Sequence, residues 1–246
     1  MEDIDAIAML QDQVRRRLYE YVAAQGREVG RNEAAEAVGV ARTLAAHHLD
    51  RLTEAGLLES GSRRLTGRSG PGAGRPAKVY TRAPAERSVS LPARDYRTAA
   101  ELLAEAAEQA GLDAGLCAAA RRRGEALRGS AAPCGDLAEA MRTLAARGYE
   151  PHMEDAEAVE STASAEGAEE ATGAAGEAGT TAPARVVRMR NCPFHAVAER
   201  FPPLVCGMNL ALLEGLLGTD GAVRARMDAR PGECCVVVEP SKNNDD

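Results

Sequence analysis

Residues 32–57 read NEAAEAVGVARTLAAHHLDRLTEAGL, and these positions, Asn32 to Leu57, decide the fold of the first part of the chain. They hold two short helical patterns joined by a tight turn. Ala34, Ala35 and Val38 give the first an apolar stripe, and Leu44, Leu49 and Leu52 give the second its buried side. Between them Gly39 can take the positive φ of a sharp exit, with Val40 plugging the corner. That arrangement leaves Arg42, Thr43, Ala46, His47 and Arg51 on the opposite surface of the second helix. Side chains placed so, near the start and middle of a helix, can reach base edges in the major groove of duplex DNA.

Working outward, the spacing of Ile7, Leu10, Val14, Leu18 and Val22 predicts a helix over 5–24. After the second short helix, Leu57 to Glu59 reads as a strand and Lys78 to Thr81 as its partner. The intervening SGSRRLTGRSGPGAGRPA is too rich in Gly and Pro for a helix. A two-stranded ribbon with a long basic loop makes a winged helix-turn-helix, here assigned to residues 1–85. Arg63, Arg64, Arg68, Arg75 and Lys78 are its candidate phosphate contacts, with the loop able to reach a minor groove. The charge distribution agrees. The formal charge is -7, yet residues 154–184 hold eight acidic residues and no basic one, so removing those eight leaves +1. Residues 60–85 hold six Lys or Arg and no carboxylate. The net charge therefore conceals a basic front and a distant acidic tract.

Residues 86–130 predict a helical linker or dimerisation region, two Ala- and Leu-rich stretches split by Gly111 and Asp113, with Leu102, Leu103, Ala106 and Ala110 on one apolar edge. Residues 136–147 predict another helix and 149–153 a strand. Residues 154–184 carry no large apolar side chain beyond Val159 and are expected as a disordered insertion. Then come a strand at 185–189, helices near 193–200 and 204–217, and strands at 223–227 and 234–239 around Pro231-Gly232. The expected class is α+β: the winged helix-turn-helix, central helices, and a small C-terminal α/β sensor domain (131–153 and 185–240) before a flexible tail at 241–246.

Four of the six cysteines fall in that last domain: Cys192, Cys206 and adjacent Cys234-Cys235, in the contexts NCPFH, VCGMN and GECCV. Each stands at an expected element edge, which can bring thiolates together across long sequence separations. No C-x-x-C pair occurs, so a zinc ribbon finds no support. From spacing alone, ligands and small buried hydrophobes are both open readings. Cys117 and Cys134 have no Cys or His near them in sequence and read as packing residues. No apolar run approaches the roughly 18–20 residues that span a bilayer, and the acidic MEDIDAIAML is unlike a signal peptide. A cytoplasmic protein without a membrane partner is expected, with its thiols reduced.

AAEAVGVARTLAAHHLDRLTEAGLLE together with GRPAKVYTRA resembles the ArsR-type and related winged-helix regulators. With NCPFHAVAERFPPLVCGMNLALLEGLL and RPGECCV added, the chain resembles iron–sulfur-cluster-sensing repressors of the SufR type, particularly their actinobacterial branch. That resemblance implies a homodimeric transcriptional repressor of cluster-assembly genes, binding a pseudo-palindromic operator in double-stranded DNA. It further implies a four-iron cluster held by Cys192, Cys206 and one of Cys234 or Cys235. The acidic insertion and the interval from Cys192 to Cys206 depart from the family pattern. The C-terminal strands and cysteines are also distantly similar to small-ligand domains of the 4-vinyl-reductase type, so zinc, thiol redox state or a hydrophobic ligand are alternative signals. A winged helix kept for protein contacts alone is the reading from another class.

Other signals are weaker. His195, three residues after Cys192, could complete a cluster or simply pack at a helix start. Adjacent His47 and His48 point about 100° apart on a helix and do not share an ion. Arg42 has the fork to read guanine O6 and N7, or else clamps phosphate. Gly70, Gly72 and Gly74 lack the spacing and following helix of a dinucleotide fingerprint, and Arg121 to Arg123 read as a solvated face. No nucleophile–base arrangement stands out, so an enzyme is not expected.

Overall fold

Asp12 divides the first apolar pattern in two. Its carboxylate accepts the Arg15 backbone N–H at 2.8 Å and caps a new helix. The single helix expected over 5–24 is therefore α1 (Glu2–Ala8), a 3-10 turn (Met9–Gln11) and α2 (Gln13–Gln25). Leu18 and Val22 are buried as their spacing requires, but Ile7 is exposed. The computed structural model describes residues 2–63, 76–155 and 185–241. Its elements are mixed α+β with two antiparallel sheets, and they divide into two units, Met1–Arg94 and Asp95–Asp246.

In the first unit, β1 (Val29–Gly30) leads into α3 (Arg31–Val38) and α4 (Arg42–Glu54). Gly39, at φ 72°, closes α3: its N–H reaches Glu36 O at 3.1 Å and that of Val40 reaches Ala35 O at 3.0 Å. The buried stripe of α4 is Ala45, His48, Leu49 and Leu52, an i, i+3, i+4, i+7 series. Leu44, expected inside, is 42% exposed, because it lies one residue off that stripe. β2 (Leu58–Arg63) pairs antiparallel with β3 (Ala77–Arg82), Glu59 opposite Thr81 and Arg63 opposite Ala77. β1 adds to the far side of β3, with Val29 opposite Tyr80. Two residues are too few to show alternation, so this third strand left no sequence signal.

The second unit begins with α5 (Tyr96–Gln109), α6 (Asp113–Arg128) and α7 (Leu137–Ala145). α5 and α6, in the stretch expected as a helical linker or dimerisation region, fall within the second unit, which starts at Asp95. β4 (Pro151–Asp155), β5 (Arg185–Met189), β6 (Val223–Met227) and β7 (Val236–Pro240) form a sheet of order β4-β5-β7-β6. Glu154 and Asp155, assigned to the insertion from composition, belong to β4 and pair with Val186 and Arg185. The rest of the acidic tract, 156–184, lies outside the described residues, as does the tail at 242–246. Between β5 and β6 run α8 (His195–Ala198) and α9 (Pro202–Leu217).

α9 is apolar almost all round and is accordingly buried on several sides. Leu213, Leu216 and Leu217 join Val187, Met189, Val236 and Val238 of the sheet and Leu144 of α7 in one core. α6 packs along α9 with backbones in near contact. A Cβ on Gly215 would stand 2.2 Å from Arg121 O, and one on Gly124 would stand 2.1 Å from Leu212 O. Gly215→Ala is therefore expected to destabilise the protein by about 1–3 kcal/mol through overpacking. Thermal unfolding of the full chain checks this, and an unchanged midpoint would refute the close approach.

Candidate functional site

The opposite face of the C-terminal sheet centres on Arg188, whose side chain is only 2% exposed. Its guanidinium meets Glu154 and Asp228, both at 2.6 Å, and Glu233 at 3.9 Å. A buried guanidinium is tolerable only with such carboxylate neighbours, and here they fix the turn that delivers the two adjacent cysteines. Within that turn the Cys234 N–H donates to Met189 O at 2.9 Å and the Asp228 N–H to Cys235 O at 2.8 Å.

Four sulfurs meet beside this turn. Cys192 follows β5, on a loop where the Asn191 amide bridges the Glu150 N–H and Gly148 O. Cys206 is the fifth residue of α9, rather than its opening residue. Cys234 and Cys235 precede β7. Cys234 interacts with Cys192 and Cys235, and Cys235 also with Cys206. Hydrogen bonds from Cys192 and then Cys235 lower the Cys234 thiol well below its usual range. Donating to Cys234 raises Cys192 and Cys235 in turn, and burial adds to both. Cys234 is buried and the other three are half-buried.

Two further residues complete the centre, and sequence reasoning missed both roles. Asn209, fully buried on α9, donates from Nδ2 to Cys234 Sγ at 3.4 Å, while its Oδ1 accepts the Tyr149 hydroxyl. Burial first, and then the neighbouring cysteine sulfurs, push the Tyr149 phenol far up, so it keeps its proton. The available signal was a lone amide in an apolar helix. His195 is not at the centre: its side chain is 69% exposed and faces Glu199 at 3.3 Å. Cys134 is buried in the core beside Thr143, and Cys117 lies against Gly207.

As a donor set, four neighbouring thiols suit a soft metal or an iron–sulfur cluster. Among the described residues, no three His, Cys, Asp or Glu side chains form a ready cage for a single ion. The sulfurs are neighbours rather than a preset tetrahedron.

The candidate DNA contacts lie in the first unit. Arg42, Thr43 and His47 are exposed on α4, Ala46 is half-buried, and Arg51 is exposed but 3.6 Å from Glu54. Arg63 pairs with Glu28 at 3.3 Å. Lys78, which the sequence offered as a phosphate contact, is engaged by Asp50 of α4 at 2.7 Å. Asp50 also takes Arg31 at 3.0 Å and the Tyr80 hydroxyl at 2.7 Å. Burial and this carboxylate push the Tyr80 phenol up to about 12. Between α3, the start of α4 and strands β2 and β3 lies a cleft of about 1150 Å³, lined by Arg27, Arg31, Arg42, Arg63 and Lys78 and by the carboxylates Glu28 and Glu33. Arg42 is the cation there with no carboxylate partner among the described residues. Arg64, Arg68 and Arg75 lie outside those residues.

Comparison with known proteins returned nothing: no protein-family model, curated protein or solved structure matches the chain. No helix among the described residues is long and apolar enough to cross a membrane.

His48 lies under the exposed face of α4, 7% exposed, with Arg15 Nε donating to its Nδ1 at 3.4 Å. Burial lowers its pKa. A depressed folded pKa means the unfolded chain binds the proton more readily, so stability is full above the ordinary histidine range and falls as pH drops through it. Denaturant unfolding of the wild type between neutral and mildly acid pH should show that loss. His48→Gln should flatten it, whereas an unchanged slope would assign the effect elsewhere.

Proposed function

We propose that this chain is a homodimeric DNA-binding regulator of the winged helix-turn-helix type, with a thiolate centre in its second unit that senses through an iron–sulfur cluster. The observation that carries the sensing half is the convergence of Cys192, Cys206, Cys234 and Cys235 from three distant segments. Packing alone does not account for it, since a fully buried amide, Asn209, donates to one of these sulfurs. Cys192, Cys206, Cys234 and Cys235 would be the residues from which the cluster takes its thiolate ligands. Bound there, a cluster supplies one-electron chemistry and sensitivity to oxidants.

Supporting the DNA half, α3, the Gly39 turn and α4 form the helix pair, and β2 with β3 the wing. Arg42, Thr43 and His47 would enter the major groove while the cationic cleft receives the phosphate backbone. Exposed Leu44 adds an apolar tip suited to a thymine methyl. Leu102 and Leu103 of α5, 61% and 72% exposed, suit a second copy, which would set two α4 helices on half-sites about 34 Å apart. The redox state or occupancy of the centre can alter operator affinity only through a difference between two dimer states. Regulation of cluster assembly is the target class that the SufR resemblance suggests.

Anaerobically purified protein should be coloured and contain iron and sulfide, and Cys206→Ser should lose both while remaining folded. Zinc at one per chain with no sulfide would replace the cluster by a single tetrahedral ion on the four thiolates. Binding to operator fragments should weaken steeply with salt. Arg42→Ala should cost about 1–3 kcal/mol on the preferred sequence and less on random DNA. Salt-independent binding, or none in dilute buffer, would remove nucleic acid as the partner.

A further inference from the structure

Asn209 has no exposed surface in a helix whose other buried side chains are apolar. A buried primary amide is expensive unless both ends are partnered, and leucine would fill the same space without that cost. Both ends are partnered here, and unequally. Nδ2 points at Cys234 Sγ, 3.4 Å away, while Oδ1 is occupied by the hydroxyl of Tyr149, itself 5% exposed. With Oδ1 taken by the tyrosine hydroxyl, Nδ2 is the end left facing the sulfur. Turned over, the amide would offer the sulfur a carbonyl oxygen, which cannot donate to it. Cys234 is also the most buried of the four sulfurs, so its position depends on what the protein offers it rather than on water.

We infer that Asn209, aimed by Tyr149, is a positioning residue of the thiol centre: its amide N–H holds the Cys234 sulfur where it can ligate a soft, thiophilic metal. The inference rests on reading the four thiols as ligands, and it adds the residues that orient them. Outer groups of this kind set ligand orientation and tune the bound metal.

The test titrates Cd(II) alone into reduced full-length protein and follows the sulfur-to-metal charge-transfer absorption. Asn209→Asp keeps the size and the acceptor for Tyr149 but removes the donor. It should bind about 10–100-fold more weakly, with a shifted band, while its circular dichroism stays that of the wild type. Tyr149→Phe should fall between the two, and it decides the matter if Asn209→Asp does not fold. After iron and sulfide reconstitution, both variants should also titrate at more negative potential than wild type, because a hydrogen bond to a ligating sulfur favours the reduced cluster. Folded variants with wild-type affinity, spectrum and potential overturn the inference and leave the cluster reading standing. Cd(II) affinity that falls as expected, in a protein that never assembles a cluster, overturns the cluster reading and leaves the inference standing. A wild type that binds no Cd(II) overturns both.

Discussion

The near contact of α6 and α9 at Gly124 and Gly215 is the constraint on which the second unit depends. With no side chain between the backbones, neither helix can rotate or slide without collision. That locks the register of α9, which supports two clusters at once: its C-terminal leucines meet the sheet, while Leu204 and Val205 meet Phe201. Cys206 and Asn209, three residues apart on one helix face, are thereby held toward the turn that carries Cys234. The two polar contributions of α9 to the thiol centre are thus positioned by the apolar packing of the rest of that helix.

The first unit uses a polar clasp for the corresponding task. Asp50 gathers Arg31 of α3, Lys78 and Tyr80 of β3 onto one carboxylate in α4. Burial alone would raise Asp50, yet these partners lower it below the ordinary carboxylate range. The clasp fixes the spacing between the exposed face of α4 and the strand pair. It does so by withdrawing two cations from the solvent side, which leaves Arg42 more prominent.

Helix existence was legible throughout because 3.6-residue periodicity survives in short windows, as at Ala34, Ala35 and Val38. Side-chain rotation was less so. Leu44 outranks Ala45 in hydrophobicity, yet the turn at Gly39 starts α4 in a phase that buries the alanine. The break at Asp12 was hidden because Ile7, Leu10 and Val14 keep a helical rhythm across it. The thiol centre could be suspected from resemblance but not from spacing. Cys192 and Cys234 become neighbours only through the pairing of β5 with β7, where Val187 faces Val238. Asn209 stood out only as a lone amide in an apolar helix, and its pairing with Tyr149, across sixty positions, leaves no local trace.

Asp155 and Arg185 end two neighbouring strands directly opposite each other, their side chains 3.9 Å apart. The acidic stretch therefore departs and returns through a single doorway at the rim of the sheet. Because those two ends are held by strand pairing, chain added or excised between them leaves the β4–β5 register to the strands themselves, which makes this rim a graft point.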